Sequence, residues 1–377
     1  MRFILFSLSA FALYAIFYFS YVNGLDALGR SAVASGKLPG THEPLRTIYT
    51  GVELIDRLLS LLTVFFYPVL DGQDATLLLH SIGFSGAFGA AWTLVVLESW
   101  RKGNAGTVAA YPAIFGIAAQ ILTFAFATPL LCGLQLGCSI TARRPHADNI
   151  RVPRVVLAML PAIFVVGYMV PTHLMVLPAP SVIPVDLKQI AIAAWQPWPV
   201  YVSILTTVAY YTLSPFFSHN HRASMSGLRW VYAFAFGNAA LSHLVSWIIS
   251  VATVAAPALF DDKFRDALHP SNVFAISLPW SGLLVDNVSN GVHVFLRWDF
   301  MIGSVGIFLW ALKLHTVAHK QILSTVSWTG LLVKVGLLTA LAGPTGAAVE
   351  LMWERDELVF GETGSSRHQV SKMRQSS

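Results

Sequence analysis

Charge is what this chain has least of. Asp, Glu, Lys and Arg make up 11% of its 377 residues, against about 25% in soluble proteins. That shortage, with 55% hydrophobic residues and a mean hydropathy of +0.63, excludes an ordinary water-soluble domain. Cysteine is almost missing too. Cys132 and Cys138 are the only two, so there is no disulfide framework, and no Cys/His spacing suits zinc. The sequence has no Gly-rich phosphate loop, Gly-x-Ser-x-Gly elbow or HExxH, and no DDxxD for a diphosphate–magnesium site. The Asp261-Asp262 pair has neither the spacing nor the helical setting for that last role. Basic residues give a net charge of +5, but they sit at segment ends, as in Arg143-Arg144 and Arg151/Arg154. That pattern anchors helices against headgroups and argues against nucleic acid as a partner.

Long apolar runs are what the chain has instead. They are too long and too continuous for barrel strands. The reading is an all-α polytopic membrane bundle in the lipid bilayer, a single domain over residues 1–353. Its nine spans are 3–22, 51–70, 76–98, 107–132, 155–178, 187–213, 229–256, 292–314 and 329–352. Met1 to Tyr21 reads as a retained anchor, and residues 354–377 as a charged, Ser-rich disordered tail. The apolar piece Val273 to Val285, broken by Pro279, is too short to span and reads as re-entrant or interfacial. His219 and His221 in a short loop are a weak metal signal, and no metal or cofactor is assigned. Basic residues divide almost equally between the two faces, so orientation stays open.

Carboxylates at span ends carry the chemistry. An acid held in or beside a membrane span is costly and tends to face the bundle interior or water. Nine crossings bring Asp56, Glu98, Asp299 and Glu350 to one face, with His173 and Trp195 beside them, and leave Asp71 and Asp74 at the other. Carboxylates in a low-dielectric site can hold a proton and deliver it. The π faces of Trp92, Tyr111, Trp195 and Trp298 can stabilise a cation. An acid plus aromatics is the equipment of a carbocation cyclase, with the carboxylates as candidate catalysts and His173 and the aromatics as candidate substrate contacts. Plainer roles stay open: Glu53 and Arg57 suit an i,i+4 pair, Glu98 a salt bridge to Arg101-Lys102, Asp71-Gly72 a turn, Asp299 a pairing with Arg297, Glu350 a boundary position beside Trp353-Glu354-Arg355, Gln120 and His173 helix–helix contacts, and the aromatics an interfacial belt.

Four stretches then resemble a known family. They are Tyr49-Thr-Gly-Val-x-x-Ile-Asp56, Phe65-Phe-x-Pro-Val-Leu-Asp71-Gly72, Trp92-x-x-x-x-Leu-Glu98-Ser-x-Arg-Lys-Gly-Asn104, and Tyr168-x-x-Pro-Thr-His173 with the following Leu177-Pro-x-Pro turn. Together with the multi-span layout they are similar to fungal integral-membrane terpene cyclases of meroterpenoid pathways, of the ascofuranone, ascochlorin and macrophorin type. The resemblance implies cyclisation of a prenyl chain, often farnesyl on a phenolic or quinoid polyketide, without diphosphate loss. Protonation of a terminal alkene or epoxide starts it, no metal takes part, and the endoplasmic reticulum is the expected site. It transfers no catalytic residue to a numbered position. A small-molecule transporter and a non-catalytic membrane scaffold are the alternatives.

Overall fold

The computed structural model describes residues 1–217 and 225–375, with side chains through Gly361. The His219–Arg222 loop lies outside these residues. Helices form wherever the apolar runs continue, and among the described residues there is no strand. In chain order they are α1 (Arg2–Val22), α2 (Leu25–Ser35), α3 (Glu53–Leu70), α4 (Ala75–Ser99), α5 (Pro112–Leu122) and α6 (Phe124–Cys138). Next come α7 (Arg154–Val176), α8 (Val185–Trp195), α9 (Trp198–Leu213), α10 (Met225–Ala255), α11 (Val288–Leu323) and α12 (Trp328–Gln375). Short helices occupy the connectors. Ends are set by local chemistry: Asp74 Oδ1 accepts the Leu77 amide at 2.9 Å and Asn287 Oδ1 the Asn290 amide at 2.9 Å, capping α4 and α11.

Among the described residues six helices are long and apolar enough to cross a membrane: α1, α4, α7, α10, α11 and the Trp328–Gly361 stretch of α12. The sequence suggests nine spans; the other three fall short for visible reasons. The 51–70 segment is α3, 18 residues long, with Glu53, Asp56 and Arg57 in its first turns. The 187–213 segment is split between Trp195 and Trp198 by Pro197. The 107–132 segment breaks at Thr123, a non-glycine residue at φ 84°.

That break reorders the sides of the bundle. Asn104, just before α5, and Ser139 and Thr141, just after α6, all bond into the same cluster around Glu98. So α5 and α6 form a re-entrant hairpin whose two ends lie together, not a crossing. Every later element therefore changes sides. α10 runs antiparallel to α4, with Ser246 donating to Leu79 O at 2.9 Å. α11 starts beside the N-cap of α4, where Ser289 donates to Asp74 Oδ2 at 2.5 Å. α12 also folds back, at Gly343 (φ 69°): Lys334 on one leg reaches Glu354 on the other at 2.5 Å, although a straight helix would hold them about 30 Å apart. The bundle continues past residue 353, since Arg355 and Asp356 on this second leg are fully buried.

Candidate active site

The four predicted carboxylates do not gather. Asp56 is held by the segment just before its own helix: the amides of Tyr49, Thr50 and Gly51 and the Thr50 hydroxyl donate to it at 2.7–3.1 Å. Glu98 is 2% exposed and bonds Arg101, Arg355, Thr141, Gln135 and Asn104. Arg101 and Tyr232 in turn donate to Asp356 at 2.7 and 2.8 Å, so two carboxylates meet two guanidinium groups. Glu350 lies 3.6 Å from Lys334. Asp71 accepts the Gln73 amide in a turn at 2.9 Å.

Asp299 stands apart from all of them. It lies 11 positions into α11, about 16 Å from Val288 and toward the Asp74 end rather than the Glu98 end, because of the re-entrant hairpin. Its carboxyl accepts the Ala125 amide at 2.6 Å. The tip of the α5–α6 hairpin thus delivers a helix N-terminus to one buried acid. Contact is close because Gly303, one turn on, has no side chain: a Cβ there would stand 2.1 Å from the Phe124 ring. No ion pair joins Asp299 to a cation among the described residues.

The acid opens onto a cavity of about 370 Å³, inside the roughly 300–1,000 Å³ range of ligand pockets. Walls come from α3 (Phe65, Phe66), α4 (Phe84, Phe88), the hairpin (Gln120, Thr123, Phe124), α7 (Tyr168, Thr172), α8 (Trp195) and α11 (Phe295, Asp299). Asp299 is the one Asp, Glu, Lys, Arg or His in this lining. The rings brace one another edge to face: Phe65 to Phe295 at 4.8 Å, Phe66 to Trp195 at 5.4 Å, Phe88 to Phe124 at 5.0 Å. Such pairs fix ring direction, so the faces turned to the cavity are set in advance.

A family model described as the CtvD domain matches residues 1–360, the bundle that builds this cavity. The chain belongs to the CtvD family. Three curated relatives are similar to it over most of both lengths. "Terpene cyclase ctvD" of Aspergillus terreus (strain NIH 2624 / FGSC A1156) is 33% identical over 93% of this chain and 97% of its own. "Terpene cyclase ascI" of Acremonium egyptiacum is 32% identical over 86% and 83%. "Terpene cyclase penA" of Penicillium crustosum is 28% identical over 93% and 94%. No solved structure matches the chain. The resemblance to fungal terpene cyclases read from four stretches is borne out.

Those CtvD-like stretches divide by role. Phe65, Phe66, Tyr168 and Thr172 line the cavity, whereas Glu98, Arg101 and Asn104 build the ion cluster at the far end. Of the predicted substrate contacts only Trp195 lines the cavity, its Nε1 donating to Thr172 Oγ1 at 2.9 Å. Trp92 is buried behind the wall, edge-on to Trp198 at 6.1 Å. Trp298 faces the other side of α11, donating to Ser277 O at 2.9 Å. Tyr111 is 58% exposed, and His173 is exposed and bonded to its own helix at Met169 O. Sequence reasoning did not single out the phenylalanines of the wall. The pair Phe65-Phe66 and the Phe84/Phe88 spacing of i,i+4 carried a signal, but in an apolar span such residues look like packing.

Proposed function

We propose that this chain is an integral-membrane terpene cyclase, placed in the endoplasmic reticulum, in which Asp299 is the initiating acid. What supports the reading best is one observation: a single carboxyl without a cationic partner in an otherwise apolar, aromatic-walled cavity. The substrate is a prenylated phenol or polyketide, with its farnesyl chain in the cavity. The Asp299 O–H gives its proton to the terminal alkene, leaving a tertiary cation, or to an epoxide oxygen, whose C–O bond then breaks. Internal alkenes attack in turn, each forming a C–C bond and passing the charge along. Loss of a proton or capture by a hydroxyl ends the sequence. Developing positive charge meets the faces of Phe66, Phe88, Tyr168 and Trp195, and the apolar wall disfavours water that would trap it early. The lipid-facing bundle suits a substrate that partitions into the bilayer, and no metal or cofactor enters this scheme.

Microsomes carrying the chain should convert a farnesylated phenol, or its terminal epoxide, to cyclic product. The Asp299→Asn variant should lose about 10²–10⁴ of the rate, the range of a general acid. Full turnover by that variant would sink the assignment. Broken re-entrant helices are also a transporter feature, which gives a second reading some footing. It predicts substrate movement across proteoliposomes without any change in the recovered compound.

A further inference from the structure

The stretch Tyr168-x-x-Pro-Thr-His173 does more than supply a wall to the cavity. Tyr168 is held in place three times over. It sits where α7 widens into a π-helical turn, Val165–Met169, a feature frequent at functional sites. Its hydroxyl donates to Ser85 O on α4 at 2.7 Å. Gly89 leaves room for the ring, since a Cβ there would stand 2.7 Å from Tyr168 Cε1. Thr172, one turn on, carries that fixed point to another helix. Its hydroxyl donates to Tyr168 O at 2.7 Å and accepts the Trp195 Nε1 proton from α8 at 2.9 Å. The direction has no alternative, because an indole nitrogen only donates. Other hydroxyls in the bundle, such as those of Thr93 and Thr206, also bond one turn back, which is a local matter. Thr172 differs in holding a ring from a neighbouring helix. Trp195 is the last residue of α8, and its nearest ring neighbour is Phe66 at 5.4 Å. Tyr168, Thr172 and Trp195 all line the cavity.

We propose that Thr172 is a positioning residue that sets product specificity: it fixes the Trp195 indole, and with it the point along the substrate chain where positive charge is best held. This deepens the cyclase reading and rests on it. A π face stabilises a cation only when the charge lies over it, so turning the indole moves the favoured cationic carbon. That carbon is where the next alkene attacks, its two π electrons forming the C–C bond while the charge passes to the alkene's other carbon. Thr172 and Trp195 neither gain nor lose a proton in this step. Asp299 and its Ala125 bond are untouched, so Thr172 governs which product forms rather than how fast substrate is consumed.

Thr172→Val keeps the shape of the side chain and removes the hydroxyl. In microsomes given a farnesylated phenol or its terminal epoxide, this variant should consume substrate at close to the unmutated rate. Its ratio of main to side products should change about fivefold, the scale of one net hydrogen bond. Thr172→Ser, which keeps both bonds, should restore the ratio. Trp195→Phe should shift it too, and adding Thr172→Val to Trp195→Phe should shift it no further, as for two residues acting as a unit. The Trp195 indole N–H resonance, followed in nanodiscs with tryptophan nitrogen isotope-labelled, is assigned by its absence in Trp195→Phe. It should move upfield in Thr172→Val and stay in place in Thr172→Ser. An unchanged product ratio or an unmoved resonance in Thr172→Val, no rescue by Ser, or shifts that simply add each overturn the proposal. If the unpaired indole of Thr172→Val prevents folding, the double variant removes donor and acceptor together. Products equal to those of Trp195→Phe then uphold the proposal, and different ones overturn it. If the unmutated chain forms no product, the cyclase reading falls and takes this inference with it; product with a ratio indifferent to Thr172 removes this inference alone.

Discussion

Two regions of the bundle bury carboxylates, and they do so in opposite ways. At the Glu98 end, Glu98 and Asp356 face Arg101 and Arg355, and Tyr232, Thr141, Gln135 and Asn104 add hydrogen bonds to the cluster. Two negative charges meet two positive ones, and the group joins α4, α10, α12 and the ends of the α5–α6 hairpin. At the hairpin's tip, Asp299 has the Ala125 amide but no cation, and it lines the open cavity. Burial alone therefore does not mark a catalytic acid. A buried carboxylate with matched partners ties helices together. One left without a counter-charge at a cavity wall is free to move a proton.

The comparison can be broken at either end. The largest expected effect is the Asp299→Asn loss of about 10²–10⁴ in rate, with the apparent melting temperature in detergent unchanged, because Asn can still accept the Ala125 amide. Glu98→Gln should do the reverse. It leaves Arg101 with Asp356 alone and Arg355 with no carboxylate partner, and breaking a buried pair costs about 3–5 kcal/mol. The folded yield and melting temperature should fall steeply, while any protein that folds turns over at close to the normal rate per molecule. Adding Arg355→Met to Glu98→Gln should restore part of the stability, since charge balance returns. Catalysis lost in proportion to folded protein, and no further, is the sign of architecture.

Gly303→Ala probes the join between the two regions. Its methyl would meet Phe124 at 2.1 Å, so the hairpin tip has to retreat from α11. Overpacking of this kind costs about 1–3 kcal/mol, and the retreat also lengthens the Asp299 to Ala125 bond. Activity should therefore drop by more than the loss of folded protein explains, with product distribution shifting as Phe124 tilts. A variant that is less stable yet makes the same products at the same specific rate would show that the tip does not set the acid's geometry.

The bundle class was legible because hydrophobic length and scarce charge leave little choice. Asp299 was legible as a candidate since it lies deeper in an apolar span than the other acids, even with Arg297 two positions before it as a plain pairing partner. Its side of the bundle was not. The turn at Thr123 lies in Gln120-Ile-Leu-Thr-Phe-Ala-Phe, with neither Gly nor Pro at the break, so the run reads as one continuous span. One hidden reversal then inverts every later element. The Gly343-Pro344 fold in α12 had the right residues for a break, but its pairing of Lys334 with Glu354 is a tertiary fact. The same limit applies to Glu98: its neighbour Arg101 is visible in the sequence, whereas Arg355 and Asp356 arrive from more than 250 positions away.

Asp56 sharpens the contrast with the smallest effect. Like Asp299 it is buried, lacks a cationic partner among the described ion pairs, and accepts backbone amides, three of them against the Ala125 amide at Asp299. If amide donors at a helix start were what made an acid catalytic, the two should behave alike. They differ in what lies in front of them: Asp299 lines the cavity, and Asp56 is enclosed by Tyr49, Thr50 and Gly51, with its own helix starting at Glu53. Asp56→Asn should leave turnover and product distribution unchanged and lower the melting temperature slightly, since Asn can still cap the loop but accepts fewer amides. Loss of activity without loss of fold in this variant would move the initiating acid out of the aromatic cavity and to the start of α3.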